Sequence, residues 1–456
     1  MTLRFDNSWL RDLPGTYLRQ DPAVAPDPVL LVWNDALARE LGLEVTKAEA
    51  ARWFSGAEMP QGAEPAALAY AGHQFGGFSP QLGDGRAHLL GEVLGPDGRR
   101  WDVQLKGSGR TPFSRGGDGK AAIGPMLREY LISEAMAALG VPTTRSLAVV
   151  ATGEHIWREE GRLPGAVLAR VAASHIRVGT FEFFSARGEV DKVRALMEYT
   201  IARHYRGAEG ALGLFDAVVA AQARLVAQWM GLGFVHGVMN TDNMALSGET
   251  IDYGPCAFLD AYAPGAVFSS IDRRGRYAFA NQPGIMAWNL SRLAEALLPF
   301  IDADQNRAVD VANARLDGIA GLFRAEWLAV MAAKLGLLGQ EPGDAALIDD
   351  LLPAMIGRDW TLTFRRGFDG LGDWRARWLE RVGPGWEARM MAANPAIIPR
   401  NHRVEDALQA ATAGEMAPFH DLLAALRDPF GAEAGRERFV LPPPEGLAPY
   451  VTFCGT

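Results

Sequence analysis

The sequence predicts an α+β protein with two lobes, a small β-rich lobe followed by a large helical lobe. Glycine-rich turns and short apolar runs typical of strands begin at about residue 70. After about residue 185 the pattern becomes predominantly helical and continues, with gaps, to about residue 427. A β-rich region followed by a helical region is an α+β arrangement, and 456 residues suffice for two or three packed units.

These changes in character divide the chain into four segments. Short helices are expected near the start, for example at 34–43, and a glycine-punctuated loop region at 231–285 interrupts the later helices. The predicted segments are an N-terminal extension at 1–65, the β-rich lobe at 66–184, the helical lobe at 185–430 and a C-terminal tail at 431–456.

Residues 87–106 predict a β-hairpin, because two strand-like runs flank the turn Gly95-Pro-Asp-Gly. In the second run, apolar residues beginning with Trp101 alternate with polar ones. Side chains on a strand alternate between its two faces, so Lys106 is expected to point away from the face that carries Trp101.

A helix is expected at 125–139, with Pro125 as its first residue and Glu129 on the flank of its apolar stripe. Further elements follow from apolar runs and helical periodicity. They are buried strands at 147–151 and 166–172 and helices at 191–205 and 215–230.

The composition argues against several classes of protein. A net charge of -9 makes nucleic acid a poor partner, since such proteins usually present a basic face. The N-terminus has no signal-peptide core, and no stretch approaches 18 uninterrupted apolar residues, so neither secretion nor a membrane span is expected. The two cysteines, Cys256 and Cys454, cannot alone form a disulfide framework or a zinc cluster, and the expected location is cytoplasmic.

Glycine-rich turns on both sides of the hairpin are candidate phosphate-binding loops. In Gly83-Asp-Gly85-Arg86 the glycines let the backbone approach a phosphate and present N–H groups, and Arg86 adds a charged donor, although a plain tight turn is the commoner explanation. Lys106 precedes a second loop that runs to Asp118 and Gly119. A lysine there can bind phosphate as a point charge, or it can be an ordinary surface lysine.

Two further observations concern charged residues. Glu129 follows Lys106 on the next predicted helix, and a strand lysine paired with a helix glutamate is typical of protein kinases. Arg170 and Arg177 follow the apolar run at 166–168 and could clamp a terminal phosphate, or they could form surface ion pairs.

A catalytic-loop motif begins at His236, in His-Gly-Val-Met-Asn-Thr-Asp-Asn243, and Asp252-Tyr-Gly follows it. The two align with the kinase motifs His-Arg-Asp-x-x-x-x-Asn and Asp-Phe-Gly. Asn243 and Asp252 then occupy the positions of Mg²⁺ ligands and supply the oxygen atoms that Mg²⁺ prefers. The position of the kinase base is Val238, which cannot accept a proton, so ordinary γ-phosphoryl transfer is not expected. Asp242 is the carboxylate that remains beside the metal ligand.

Together these motifs resemble the selenoprotein O family of adenylyltransferases, whose members have a pseudokinase fold. The resemblance extends over most of the chain and includes further segments, namely Tyr70-Ala-Gly-His-Gln-Phe-Gly76, the segment 104–115, and the segment 275–290. It implies a bilobal protein-kinase-like fold that holds ATP reversed, so that AMP passes to Ser, Thr or Tyr hydroxyls of proteins and pyrophosphate leaves. Mg²⁺ is the expected cofactor, and Mn²⁺ in place of Mg²⁺ and UTP in place of ATP remain open.

The resemblance also implies roles for single residues. Asp242 would accept the proton from the hydroxyl group, Asn243 and Asp252 would bind the metal, and Lys106 and Glu129 would form an ion pair. The residues implied to contact the nucleotide are Gly83, Gly85, Arg86, Lys106, Asp118, Gly119, Arg170, Arg177 and Asp252.

Cys256 follows Asp252 closely, and Cys454 lies at the position where animal members of the family carry selenocysteine. One hypothesis is that the tail folds back and a Cys256–Cys454 disulfide restrains the site, and two unrelated thiols are the alternative. Two other functions remain open. One is a γ-phosphotransferase in which Asp242 replaces the missing base, and the other is a non-catalytic, nucleotide-binding scaffold that responds to redox conditions.

Overall fold

The structure, a computed structural model, describes residues 3–159, 161–446 and 450–452. Its strands are β1 Tyr17–Arg19, β2 Val29–Trp33, β3 Ala66–Leu68, β4 Gly72–Gln74, β5 Gly77–Ser79, β6 Ala87–Leu94, β7 Arg100–Lys106, β8 Ala121–Ala122, β9 Arg145–Arg158, β10 Gly161–Ala172, β11 Phe234–Val235 and β12 Ala257–Phe258. The main sheet is antiparallel, with strand order β1-β3-β6-β7-β10-β9-β2 and β8 paired to β10.

The helices lie mainly in the second half of the chain. They are α1 Ser8–Asp12, α2 Asp35–Glu40, α3 Lys47–Ser55, α4 Ile123–Ala138, α5 Val178–Ser185, α6 Val190–His204, α7 Gly210–Leu232, α8 Gln282–Leu297, α9 Gln305–Asp317, α10 Ile319–Lys334, α11 Asp344–Ala354, α12 Trp360–Arg365, α13 Gly372–Val382, α14 Trp386–Ala393, α15 Asn401–Thr412, α16 Ala417–Leu426 and α17 Glu437–Val440. A β-rich first part and a helical second part confirm the predicted α+β class.

The predicted hairpin is confirmed, because β6 and β7 pair with Ala87 opposite Lys106 and Leu94 opposite Arg100. The predicted strands at 147–151 and 166–172 are also present, but β9 and β10 are longer and form a second hairpin. Their outer halves lack a continuous apolar run, and Trp157 there is 75% exposed. Apolar content alone therefore identified only the buried half of each strand.

Residues 1–65 contain the short helices predicted for them and also two strands that were not predicted. β1 pairs with β3 at one end of the sheet, and β2 pairs with β9 at the other. The run Val-Leu-Leu-Val-Trp33 is too short for periodicity to distinguish a strand from a helix. The segment therefore contributes to the sheet as well as to the helices around it.

The main sheet has an apolar face and a face that carries charged groups. Val103 and Leu105 of β7 are fully buried in a core cluster with α2 and α3. Lys106 points to the opposite face, as its place in the alternation predicted, and there it meets α4. Helix α4 begins two residues earlier than predicted, so the prediction that Pro125 is the first helical residue is wrong. Pro125 is the third, which the first turn of a helix tolerates.

Helix α7 is the central helix of the second part and packs against α8 and α10. By length and composition alone it could cross a membrane, and 56% of its most apolar window is buried inside the structure. The core helices of proteins that never enter a membrane share this composition, so the helix is weak evidence for a span. No other helix among residues 3–159, 161–446 and 450–452 meets the same criteria.

Candidate active site

A buried group of charges connects the sheet, helix α4 and the loop that follows the catalytic-loop motif. Lys106 Nζ lies 2.5 Å from Glu129 Oε2 and is also ion-paired with Asp252. Arg170 Nη1 lies 3.1 Å from Glu129 Oε1. We call Lys106, Glu129, Arg170 and Asp252 the Lys106 cluster. Its members come from β7, α4, β10 and the loop before β12, so only the folded chain brings them together.

Asp252 is the member of the Lys106 cluster that is partly open to solvent, with a third of its side chain exposed. Burial would raise the pKa of its carboxyl group, but Lys106, Arg170 and Arg86 together hold that pKa well below its usual value. Its backbone has φ of 71°, a left-handed conformation that is uncommon outside glycine. Such strain concentrates at functional sites, where the surrounding structure maintains it.

Helix α4 also positions the loop that carries Asp252. Arg128, the neighbour of Glu129, donates hydrogen bonds to the carbonyl oxygens of Gly254 at 3.2 Å and Cys256 at 2.6 Å. Two contacts therefore join this loop to α4. Lys106 bridges Asp252 and Glu129, and Arg128 binds the carbonyl groups that follow Asp252.

In the glycine turn Gly83-Asp-Gly85 before the hairpin, the backbone N–H groups are already hydrogen-bonded within the protein, unlike those of the phosphate-binding loop that the sequence suggested. The N–H groups of Gly83, Asp84 and Gly85 donate to the carbonyl oxygens of Tyr70, Leu68 and Gly83, so none of the three is free for a phosphate. The glycines are needed for packing, since a Cβ on Gly83 would overlap the ring of Phe113 and one on Gly85 would lie 2.9 Å from the Phe113 carbonyl oxygen. The contribution of this turn to the site is Arg86, whose positive charge helps to lower the pKa of Asp252.

The catalytic-loop motif is held by its own histidine. Val238 N–H donates to His236 Nδ1 at 3.4 Å, which leaves Nε2 to donate to the carbonyl oxygen of Ile251 at 2.9 Å. Burial lowers the pKa of His236, so the neutral ring joins the two loops that carry the candidate metal ligands. Val238, at the position of the kinase base, is buried.

Asp242 lies in the short 3₁₀ helix Thr241–Asn243 and is almost completely buried. Burial raises the pKa of its carboxyl group to about 7, against the attraction of Arg177. Its Oδ1 atom has no hydrogen-bond partner among the described residues. A carboxyl group with a pKa near neutrality can accept a proton and is suited to general-base catalysis.

Arg177 packs beside Asp242 but does not pair with its carboxylate. Its Nη1 donates to the Asp242 backbone carbonyl at 2.7 Å, and its guanidinium stacks 4.5 Å from the ring centre of Tyr70. The Nε atoms of Arg170 and Arg177 are buried and lack partners in the described part of the chain. Buried polar atoms without partners are rare, and a bound ligand is one explanation for them.

The segment 70–76 encloses the catalytic loop, and sequence reasoning identified it only as part of a resemblance. His73 N–H donates to Thr241 Oγ1 at 2.7 Å, and Phe75 N–H donates to Asn240 Oδ1 at 3.2 Å. Gly72 lies so close to Asp242 that a Cβ at this position would be 2.9 Å from its Cγ atom. The contacts join residues far apart in sequence, so no local pattern could reveal them.

Two of the predicted nucleotide contacts, Asp118 and Gly119, are engaged with other residues of the chain. Asp118 is exposed and forms an ion pair with Arg158, with Oδ2 at 2.9 Å from Nη1. Gly119 approaches the backbone of Gly109 so closely that a Cβ would overlap its carbonyl oxygen. Among the described residues, neither Asp118 nor Gly119 forms a hydrogen bond or an ion pair with a member of the Lys106 cluster.

The chemistry of the candidate metal ligands fits an oxygen-coordinated cation. Asn243 Nδ2 donates to the Val238 carbonyl at 3.0 Å, which orients the amide, and the amide oxygen has no hydrogen-bond partner among the described residues. Asp252 uses one carboxylate oxygen for Lys106. Within the described ranges, no group of three or more His, Cys, Asp and Glu side chains could hold a metal ion. Mg²⁺ commonly has one or two protein ligands, and nucleotide phosphates and water complete its octahedron.

The last described residues lie against the same loop. Thr452 Oγ1 donates to the Pro255 carbonyl at 2.9 Å, and Thr452 N–H donates to the Phe268 carbonyl at 2.7 Å. The neighbouring Cys256 is a buried free thiol whose pKa burial raises to about 11. Cys454, its hypothetical disulfide partner, lies outside the described residues.

Comparison with known proteins identifies the class of enzyme. The Protein nucleotidyltransferase YdiU of Cereibacter sphaeroides strain KD131 is 59% identical to this chain over the whole of both chains. The proteins of the same name from Sphingopyxis alaskensis and Rhizobium johnstonii are each 54% identical, with 100% and 99% of this chain covered and 100% and 97% of theirs. The chain is accordingly a nucleotidyltransferase.

The family follows from a second comparison. A family model described as Protein adenylyltransferase SelO matches residues 1–381. The chain belongs to the SelO family, and the resemblance inferred from its motifs is confirmed.

Proposed function

We propose that this enzyme transfers AMP from ATP to Ser, Thr or Tyr hydroxyl groups of proteins. The observation that carries the proposal is that the fold brings the Lys106 cluster and the buried carboxyl group of Asp242 together in one site. Lys106 and Arg170 of the cluster, together with Arg177, are three buried cationic side chains that a triphosphate can contact, while Asp242 has a carboxylate oxygen with no partner among the described residues. Val238 leaves the kinase-type base position without a proton acceptor.

The orientation of ATP is part of this proposal. In a bilobal protein-kinase-like fold, the terminal phosphate would lie among Lys106, Arg170 and Arg177, and the α-phosphate would face the acceptor. Two observations support this orientation. All three cations are buried, and the Nε atoms of both arginines lack partners in the described part of the chain. A reversed nucleotide would also explain why a base at position 238 is dispensable.

The reaction then follows from the side chains. The oxygen of the acceptor hydroxyl forms a bond to the α-phosphorus, its proton passes to the carboxylate of Asp242, and the bond from the α-phosphorus to the bridging oxygen breaks. Pyrophosphate leaves, and the positive charges of Lys106, Arg170 and Arg177 stabilise its developing negative charge. His236 keeps the two loops in register, and Arg177 fixes the backbone at Asp242.

Asn243 and Asp252 would hold Mg²⁺, or Mn²⁺ in its place. When bound, the cation neutralises phosphate charge. Arg86 contributes to the low pKa of Asp252, which keeps that carboxylate ionised and available as a ligand.

Labelled nucleotides test the proposal directly. The purified protein is incubated with Mg²⁺ and ATP labelled at either the α- or the γ-phosphate, and intact mass is measured in parallel. We expect the α-label on protein, a mass increase of one AMP unit, and neither with Asp252→Ala. Transfer of the γ-label would favour the phosphotransferase instead, and binding of ATP without transfer of either label would favour the scaffold.

Redox control is a second candidate property. The Thr452–Pro255 hydrogen bond supports it, because it holds the end of the described chain beside Cys256. We propose that a Cys256–Cys454 disulfide restrains the loop that carries Asp252. Peptide mass mapping under oxidising and reducing conditions tests this, with Cys256→Ser as the control. Failure to find an intramolecular bridge in oxidised protein contradicts it. The cytoplasmic location remains a prediction.

A further inference from the structure

Beside the catalytic loop lies an open groove of about 810 Å³ that the proposed mechanism does not use. We propose that this groove binds an acidic segment of the protein acceptor next to its hydroxyl group. The inference rests on the proposed function and specifies its substrate class. The residues that line the groove are Phe75, Ile271, Asp272, Arg273, Arg274, Arg276, Ala280, Asn281, Gly284 and Ile285.

The groove is strongly positive on a chain whose net charge is -9. Three of the lining residues are arginines, and Arg273 and Arg274 are exposed and form no ion pair with any described residue. The only acidic lining residue, Asp272, is buried, and its oxygens accept the N–H groups of Arg276 at 2.9 Å and Tyr277 at 2.8 Å. Its charge is thus directed to the backbone and away from the groove.

The groove is joined to the catalytic loop through Asn240. Asn240 Oδ1 accepts hydrogen bonds from Phe75 N–H at 3.2 Å and from the Tyr277 hydroxyl at 2.5 Å. Asn240 precedes Asp242 by two positions, so one short loop supports both this edge of the groove and that carboxylate. Arg276 is fixed by stacking 4.7 Å from the ring of Trp288.

The chemistry of the lining favours an acidic polypeptide. Guanidinium groups pair with carboxylates through two parallel hydrogen bonds. Ile271 is 51% exposed and Phe75 is 37% exposed, and both offer apolar contact to side chains of a peptide. The cations proposed to bind the nucleotide, Lys106, Arg170 and Arg177, do not line the groove, so the two ligands would not compete.

The test measures binding first and transfer second. Two fluorescein-labelled peptides carry one tyrosine flanked either by glutamates or by lysines. Their affinities for the full-length protein are measured by fluorescence anisotropy, and transfer of AMP to each is measured with α-labelled ATP. The variant is Arg273→Glu/Arg274→Glu. The control is Arg4→Glu/Arg366→Glu, which changes two exposed arginines outside the groove.

We expect the wild type and the control to bind the glutamate peptide at least about tenfold more tightly than the lysine peptide. The groove variant should lose this preference and retain its affinity for Mg-ATP. Equal affinity for both peptides, or an unchanged preference in the groove variant, overturns the inference. Displacement of the glutamate peptide by polyuridylate at equal charge concentration would also overturn it, in favour of a nucleic-acid site.

The two proposals fail in different ways. If the glutamate peptide binds the groove but the α-label reaches neither peptide nor the protein itself, the proposed function is wrong and the groove assignment stands. If AMP passes equally to both peptides, and both bind with equal affinity, the groove assignment is wrong and the proposed function stands.

Discussion

Two buried groups of charges lie on the same face of β7, and they differ in a way that separates structure from function. The first is the Lys106 cluster. The second, which we call the Asp102 cluster, connects the sheet to helix α6 and the loop before α5. Its members are Asp102, Glu92, His175 and Arg203. Both clusters are buried and both combine acidic with basic groups, so burial and charge do not distinguish them.

The two regions differ in how their carboxylates are satisfied. In the Asp102 cluster every carboxylate oxygen has a partner. Asp102 Oδ2 accepts two hydrogen bonds from His175 and Oδ1 accepts one from Arg203, and Glu92 accepts others from Ser8 and the Trp9 backbone. Beside the Lys106 cluster, Asp242 Oδ1 has no partner among the described residues. Carboxylates whose oxygens are all paired stabilise the fold, whereas a buried carboxylate oxygen without a partner is suited to binding a ligand.

The largest expected effect is on activity in the Lys106 cluster. Asp252→Ala should lower the rate of nucleotide transfer about a thousandfold, because it removes a metal ligand from the reaction. Lys106 keeps Glu129, so the midpoint of urea unfolding should change little. A stopped assay with α-labelled ATP and a urea titration measure the two effects. Unfolding of this variant at low urea would contradict the assignment of the cluster to function.

The opposite result is expected in the Asp102 cluster. Asp102→Ala removes the acceptor of hydrogen bonds from Arg203 and from the His175 N–H group, both of which are buried. Because these donors are left unpaired, the free energy of unfolding should fall by about 3–5 kcal/mol. Activity per folded molecule should stay close to that of the wild type. If folded Asp102→Ala protein were inactive, this cluster would have to be included in the site.

A smaller effect is expected where Gly72 contacts Asp242. Gly72→Ala places a methyl group against the carboxylate and should lower the rate about tenfold to a hundredfold by displacing it. Gly77→Ala, in the same β4–β5 hairpin, is the matched control, since its added Cβ would lie 3.5 Å from the Gln74 carbonyl oxygen, which is an ordinary van der Waals contact. Equal rates in both variants would show that Asp242 need not be held in position.

The last effect concerns a third buried charge, Lys334, whose partners among the described residues are all neutral. Lys334 Nζ donates to Asn394 Oδ1 at 2.8 Å, and burial lowers the pKa of the lysine to about 7. Between pH 7 and the ordinary pKa near 10.5, the unfolded chain binds a proton that the folded chain does not. This group therefore makes the free energy of unfolding rise with pH in that window, by up to about 1.4 kcal/mol per pH unit.

Lys334→Met removes this contribution. In urea titrations at pH 7, 8 and 9, the stability of the wild type relative to Lys334→Met should increase with pH. A constant difference between the two proteins across the three titrations would contradict a lowered pKa.

The elements that the sequence predicted are those with a strong local period. The β6–β7 hairpin follows from alternation around a Gly-Pro-Asp-Gly turn, and α4 follows from its apolar stripe. The strands β1 and β2 were missed because short apolar runs join a sheet only through distant partners, Leu68 and Val149 among them. Periodicity depends only on residues that are close in sequence, so it cannot predict which distant strands pair.

The predictions for the site divide in the same way, between local motifs and contacts that join distant segments. Known motifs identified Lys106, Asp242 and Asp252 as candidates, and the Lys106 side-chain direction followed from the strand period. The role of Gly83 as a close neighbour of Phe113, and the enclosure of the catalytic loop by the segment 70–76, depend on contacts between remote segments. A glycine-rich turn has the same composition whether it binds a phosphate or accommodates an aromatic ring.

Because Gly72 contacts Asp242, natural selection should act on the two positions together. A side chain at position 72 displaces the carboxylate at position 242 unless residue 242 becomes smaller, and a smaller residue there lacks the carboxylate. Laboratory evolution that varies either position alone should therefore return glycine and aspartate together. In a genome survey, a relative that has lost the glycine but kept the aspartate would be a candidate for a copy under relaxed selection.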